Sequence, residues 1–391
     1  MSTQTRERHA SGQGRGAAHA GGATLTPGDT VLEVTGLDVD IRTPLGTVRA
    51  VSDVGFTAVA GRTLALLGES GCGKSMTAKA IAGQLDAVAH VEGGTVMLNG
   101  EDLNRISAKR RRAIAGVELG IVFQDALTAL NPVYTVGTQL GEVFRIHRGL
   151  NAKKARVEAI ELMRRVGIPE PESRVDAYPH QFSGGMRQRI LIAMAVALGP
   201  KLLIADEPTT ALDVTVQAQI MELLRRLRAE ENMAVVLITH DLAVVAEEAD
   251  TVCVMYAGNV VEQGPVEQVF ATPSHPYTKG LLESVPTGSE RGGDLNSIPG
   301  SPPDLKDIPT GCVYQDRCPL ARQICRDQRP ALRETAPGQR AACHFSEELL
   351  AANPPAVTTS ESASAEAADA VGAGSTATPT ATPLTEPEAR A

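Results

Sequence analysis

Along the middle of the chain, short uninterrupted apolar runs alternate with longer stretches whose apolar positions recur every three or four residues. The runs TLALLG (63–68), LGIVFQ (119–124), KLLIADEP (201–208), AVVLITH (234–240) and TVCVMYAG (251–258) have the length and composition of buried strands. AQIMELLRRLRAEE (218–231) sets Ile220, Leu223, Leu224 and Leu227 at helical spacing with charges opposite. NAKKARVEAIELMRRVGI (151–168) has the same pattern. Strands alternating with helices predict an α/β fold built on a parallel sheet.

Composition sets the ends apart. Residues 1–29 are rich in Gly, Ala and Ser, and residues 348–391 in Ala, Thr, Pro, Ser and acids; both are expected to be disordered. A Pro- and Gly-rich boundary, 284–305, separates the α/β body from a cysteine-rich segment. The net charge of −9 is concentrated in the C-terminal tail, so no general affinity for nucleic acid follows, and AKRRRA (108–113) reads as a solvated helix face. The longest strongly apolar run, ILIAMAVAL (190–198), is about half of a bilayer crossing. The first residues carry no apolar core of a secretory signal. A cytosolic chain is expected, with its six cysteines as thiols or metal ligands.

The chemistry begins at GESGCGKS, residues 68–75, which fits G-x-x-x-x-G-K-[ST] between a strand and a helix pattern. Gly68, Gly71 and Gly73 let the backbone curl so that the N–H groups of Glu69, Ser70, Cys72 and Met76 join theirs around phosphates. The helix starting near Lys74 brings its positive end to the same point. Lys74 is expected to reach the β- and γ-phosphates of ATP, and the Ser75 hydroxyl to ligate Mg²⁺. Downstream, the strand LLIADE ends in Asp206, expected on the magnesium, and Glu207, expected to orient and polarise the attacking water.

QFSGGMRQRILIAMAVAL (181–198) heads a second helix pattern with Ser183, Gly184 and Gly185, so one phosphate loop is accompanied by two anion-binding helix starts. Here the chain resembles the ATP-binding subunits of ABC transporters, most closely the oligopeptide/dipeptide importer branch, over about residues 31–345. The resemblance implies that Ser183 and its glycines bind the γ-phosphate held by a partner's loop. Gln124 matches the residue touching magnesium and attacking water, Asp213 the acidic residue of the loop at the dimer interface, and His240 the switch histidine. The HPYT stretch at 275–278 resembles the marker of the peptide branch. At the aligned adenine-stacking position stands Ile41 instead of an aromatic residue, predicting weaker or less selective base binding. Cys72 replaces the usual serine and reads as a tolerated small side chain.

Cys312, Cys318, Cys325 and Cys343 have the spacing C-x5-C-x6-C-x17-C, while Cys253 lies mid-strand as a core residue. Four thiolates suit zinc or an iron–sulfur cluster, and spacing alone leaves the two open. The resemblance implies a 4Fe–4S cluster, with Zn²⁺ the alternative and His344 outside the ligand set. The expected organisation is an ATPase cassette at 30–285 with a helical subdomain near 125–185, then an extension at 286–347. The expected function is ATP hydrolysis powering peptide uptake at the cytoplasmic face of the membrane. The expected partners are two permease subunits, a second, related ATPase and an extracellular peptide-binding protein, with no nucleic acid. Nickel, opine or glutathione import is the alternative cargo, and a nucleic-acid clamp is the reading from another class.

Overall fold

In the computed structural model, residues 25–124, 129–210, 212–284 and 297–352 are described. The chain opens with β1 (Thr30–Thr43) and β2 (Gly46–Val59), a long antiparallel hairpin. Then follow β3 (Thr63–Leu67) and α1 (Lys74–Ala82), then β4 (Ala89–Leu98), β5 (Glu101–Asp102), α2 (Ala108–Ile114) and β6 (Leu119–Val122). A helical stretch comes next: α3 (Val136–Arg148), α4 (Ala152–Arg165), α5 (Pro171–Arg174) and α6 (Gly184–Val196). The chain returns through β7 (Leu202–Asp206), α7 (Val214–Glu231), β8 (Ala234–Thr239), α8 (Leu242–Glu248), β9 (Thr251–Tyr256) and β10 (Asn259–Pro265). It continues with α9 (Val266–Ala271), α10 (Pro276–Glu283), α11 (Gln323–Asp327), β11 (Arg333–Ala336), β12 (Gln339–Ala341) and α12 (Ser346–Ala352).

Each of the five expected strands forms, as β3, β6, β7, β8 and β9, and they pair in parallel in the order β9-β3-β8-β7-β6. Both faces of this sheet are buried, which is why these strands read as continuous apolar runs. Leu203 and Ala205 enter one core while Leu202 and Ile204 enter the other. The first core joins the sheet to α3, α4, α6 and α7; the second joins it to β1, β2 and β4. The helical subdomain is narrower than the expected 125–185: α3 to α5 cover 136–174, and α6 runs back to the sheet, whereas residues 125–128 lie outside the described ones. Thr135 and Asn151 cap α3 and α4 with side-chain oxygens, stopping each helix from growing backwards.

Two features depart from the expected all-parallel arrangement. A separate antiparallel sheet, β2-β1-β4-β5, lies against the second core. The main sheet is also extended antiparallel by β10, β12 and β11, so the cysteine-rich segment adds strands to the cassette instead of standing apart from it. The seam is locked by Glu262, which is fully buried and accepts from the Ser274 and His275 backbone N–H groups at 2.6 and 3.1 Å and from Gln339 Nε2 at 2.7 Å. The expected tails also shrink. Asn232 Nδ2 donates to Leu25 O at 2.9 Å, tying residues 25–29 to the body, and α12 carries the body to Ala352 with Leu349 buried. Residues 1–24 and 353–391 lie outside the described ones.

Candidate nucleotide site

The loop 68–75 joins β3 to α1 where the parallel strands end, and its backbone can be followed only by glycine at two points. Gly68 has φ 154, and a Cβ there would meet Met255 O at 2.2 Å; Gly73 has φ 106, and a Cβ would meet Ala50 O at 2.9 Å. Any side chain would drive the loop off β9 and β2. Ser70 and Gly71 form its exposed crest. Lys74 is buried, and its Nζ donates to the carbonyls of Gly68 (2.7 Å) and Glu69 (3.0 Å), so the cation sits inside the curl its own loop makes. Cys72 is buried too, its thiol pushed up by burial despite the nearby Lys74, in keeping with a small side chain tolerated at this position. Met76 packs on the second core.

The two carboxylates at the end of β7 face this loop. Ser75 Oγ donates to Asp206 Oδ1 at 3.0 Å, and burial raises Asp206 above its ordinary carboxylate value. Glu207 has φ 47, in the left-handed region that a side chain rarely enters, at a cost on the order of 1–3 kcal/mol. The kink is fixed by its N–H, which donates to Ile238 O at 2.9 Å. Three groups converge on its carboxylate: Gln124 Nε2 at 2.7 Å, Thr210 Oγ1 at 2.9 Å and His240 Nδ1 at 3.3 Å. Burial raises this acid, but the bonds from Thr210 and His240 outweigh it, and Glu207 ends below its usual value. Gln124, Asp206, Glu207 and His240 thus come from the ends of three strands, β6, β7 and β8, to one region; Thr210 was not among the residues expected there.

Ser183, Gly184, Gly185 and Asp213 form a second, solvent-facing cluster. Ser183 caps α6 through Met186 N–H at 3.3 Å, and Asp213 caps α7 through Val216 N–H at 2.9 Å. A Cβ on Gly185 would stand 2.5 Å from Val216 Cγ1, so the two helix starts can lie together only with glycine there. Ser183, Gly184 and Asp213 are exposed, and so is the apolar Val214 beside them. Among the described residues no hydrogen bond or ion pair joins this cluster to the phosphate loop. Ile41 lies near the end of β1, paired with Val48 and Ala89 and partly exposed; Val48 is two residues from Ala50, on which Gly73 packs.

The phosphate loop has two further partners, missed because they lie far along the chain. Tyr277 OH accepts from Glu69 N–H at 3.0 Å, and Arg317 grips the Glu69 carboxylate with both Nη atoms, at 2.6 and 3.0 Å. Tyr277 belongs to the HPYT stretch and Arg317 to the cysteine segment, 208 and 248 residues from Glu69. Within that segment, Cys312, Cys325 and Cys343 are buried and Cys318 is nearly so. Burial raises all three of the thiols at Cys312, Cys318 (to about 12) and Cys343 (to about 11), and the charges of neighbouring cysteines raise each further. The Phe345 N–H donates to Cys343 Sγ at 3.3 Å. Among the described residues, no three His, Cys, Asp or Glu side chains are grouped to hold a single metal ion. His344 turns away, its Nε2 within 3.0 Å of Gln328 O, and Cys253 is wholly buried in β9, pushed up to about 12.

A phosphate loop, paired carboxylates at the end of another strand of the same sheet and a separate serine-headed helix define an ATPase of the ABC type. The family model for ABC transporters matches residues 51–210, and that for the oligopeptide/dipeptide transporter C-terminal region matches 261–325. The chain is similar to the dipeptide transport ATP-binding protein DppD of Escherichia coli, 49% identical over 315 residues covering 81% of this chain and 96% of that one. It is also similar to the oligopeptide transport ATP-binding protein OppD of Salmonella typhimurium, 47% identical over 83% of this chain and 96% of that one. Among solved structures, the ATP-binding cassette MJ0796, dimeric in a post-hydrolysis state with ADP and Pi, matches with TM-score 0.54 and 25% identity, covering 60% of this chain and 98% of its own. CbiO1 of Clostridium perfringens matches with TM-score 0.53 and 29% identity over 62% and 91%. The chain belongs to the ABC transporter family and, within it, is the ATP-hydrolysing subunit of a peptide importer.

Proposed function

We propose that the loop 68–75 holds the ATP phosphates and that Glu207 positions the water that attacks the γ-phosphate. The convergence of Gln124, Thr210 and His240 on one carboxylate, beside the Ser75–Asp206 pair, supports this most directly. The loop's backbone N–H groups beyond Glu69, whose own is taken by Tyr277, and the α1 terminus bind the polyphosphate, with Lys74 turning from its carbonyls to the β/γ oxygens. The Ser75 hydroxyl and the Asp206 carboxylate, 3.0 Å apart, with the Gln124 amide oxygen, make a hard-oxygen set that suits Mg²⁺. Bound there, the ion would neutralise charge building up between the β- and γ-phosphates. Glu207, held ionised below its usual value, accepts the hydrogen bond of the water and aligns it more than it abstracts its proton. His240 steadies that carboxylate and senses the γ-phosphate.

Glu207→Gln should keep MgATP binding and lose about 10²–10⁴-fold in turnover, measured as phosphate release by the assembled transporter. Normal ATPase activity in that variant would remove Glu207 from this role. The exposed cluster at Ser183 closes over the γ-phosphate held by a partner subunit, with Asp213 at the seam; the dimeric arrangement of MJ0796 supports this reading. The partner is a related but different ATPase, and the pair drives two permeases fed by an extracellular peptide-binding protein, at the cytoplasmic face of the membrane. Among the described residues no helix is long and apolar enough to cross a bilayer. Residues 30–285 act as the cassette and 286–347 as the extension; the second family model, starting at residue 261, overlaps that boundary.

The four cysteines form an iron–sulfur site. The Phe345 N–H, which donates to Cys343 Sγ at 3.3 Å, is the kind of backbone donor that supports a cluster-bound sulfur. Full-length protein prepared without oxygen should contain iron and acid-labile sulfide, lost in Cys318→Ser; protein carrying zinc alone would reverse the assignment.

A further inference from the structure

Glu69 places a carboxylate in a loop built to receive a polyanion. A bare negative charge there would repel the phosphates, yet the side chain is not bare. Arg317 holds it in a two-pronged ion pair, Nη1 to Oε2 at 2.6 Å and Nη2 to Oε1 at 3.0 Å, the arrangement in which arginine binds carboxylates most strongly. The arginine is itself fixed. Its side chain is only 5% exposed, Nε donates to Pro299 O at 2.8 Å, and Nη1 also reaches Tyr256 OH at 3.3 Å. Its backbone N–H donates to Tyr314 O at 3.1 Å, which sets it in the turn leading into Cys318. A second strut rises beside it, since Tyr277 OH takes the Glu69 N–H and its ring packs on Tyr256 and Tyr314. The loop is therefore neutralised and braced by a segment almost 250 residues downstream.

We propose that the turn at 311–318 is a working part of the nucleotide site of its own chain, and that Arg317 is the positioning residue that cancels the Glu69 charge and sets the phosphate loop for a polyphosphate. This rests on the reading that the loop 68–75 binds the ATP phosphates. It makes the cysteine-rich segment a control point for nucleotide affinity, because any change that displaces that turn releases Glu69 toward the ligand.

The sign of the effect separates this from a merely structural tie. Full-length subunit should be titrated with a fluorescent ATP analogue and Mg²⁺, and the assembled transporter assayed for ATPase activity. Arg317→Met should weaken binding and raise KM about tenfold, with kcat changed less than about threefold. Arg317→Lys, which keeps the charge without the fork, should recover part of the loss. Glu69→Gln should bind at least as tightly as the parent chain, and added to Arg317→Met it should restore affinity toward the parent value. If Arg317 only tethers the fold, Glu69→Gln will weaken binding as much as Arg317→Met and the double variant will be no better than either; that result overturns the proposal. Unchanged affinity in Arg317→Met, or a fall in kcat at constant KM, overturns it too. Should Arg317→Met fail to fold, Arg317→Lys and Glu69→Gln alone still decide between the two signs. Lys74→Ala separates the underlying reading: if it binds the analogue normally, the phosphate-loop assignment itself is wrong, whereas loss of binding there with no effect at Arg317 sinks only the present inference.

Discussion

Glu207 shows why residues of this kind are legible in sequence only by type. The adjacent acids after LLIA announced a carboxylate pair, but nothing in the letters told that the second acid would sit at φ 47, turned into reach of Gln124, Thr210 and His240. Thr210 was invisible for that reason, since it meets Glu207 through the kink. Ile41 is the opposite case, a residue noticed because an aromatic is missing. It lies on the strand next to the one that braces Gly73. Ile41→Tyr is expected to tighten ATP binding by about 1 kcal/mol, roughly fivefold, and to sharpen ATP over GTP, read by competition binding. Equal affinities before and after the change would retire that explanation.

At the scale of elements, the parallel strands were legible because two buried faces leave no room for polar alternation. The hairpin β1–β2 was not. Its register slips between Val34 and Leu37 and again between Leu37 and Asp40, which breaks the period-two pattern that would betray a half-buried strand. The strands β10, β12 and β11 were hidden differently, because their pairing depends on one buried acid. Burial pushes Glu262 up to about 7, against the pull of its hydrogen-bond donors. Its folded value lies above its ordinary one, so its contribution to stability is fully present below about pH 4.5 and is lost as pH rises through 7. Thermal unfolding of the full chain should therefore show a slope of falling stability between those limits that Glu262→Gln flattens. That variant should also be less stable by about 1–3 kcal/mol, because its amide presents a donor to a site of donors.

For the whole molecule, the resemblance already implied a nucleotide site shared between two chains, with the phosphate loop of one and the Ser183 helix of the other. Ser183, Gly184 and Asp213 face solvent, which leaves the start of α6 open to the partner chain that the proposed function requires. A Ser183→Arg change on that exposed surface should leave folding and nucleotide binding by the loop intact, while abolishing MgATP-dependent pairing of a Glu207→Gln background in sedimentation. Persistent pairing would place the interface elsewhere. The tether from Arg317 to Glu69 was equally out of reach of pattern reading, since neither residue is unusual in its own neighbourhood and only the fold makes them adjacent.

The hairpin of β11 and β12 has a practical corollary. It pairs with β10 through Glu262–Ala341 and Gln263–Arg340, and so covers what would otherwise be the rim of the main sheet. A chain cut after Ser284 would keep every catalytic group yet bare that rim, offering unpaired amides and carbonyls to any passing strand. Such a truncated cassette should come out of cells as inclusion bodies, and anyone wishing to crystallise the motor by itself will have to keep its C-terminal selvedge.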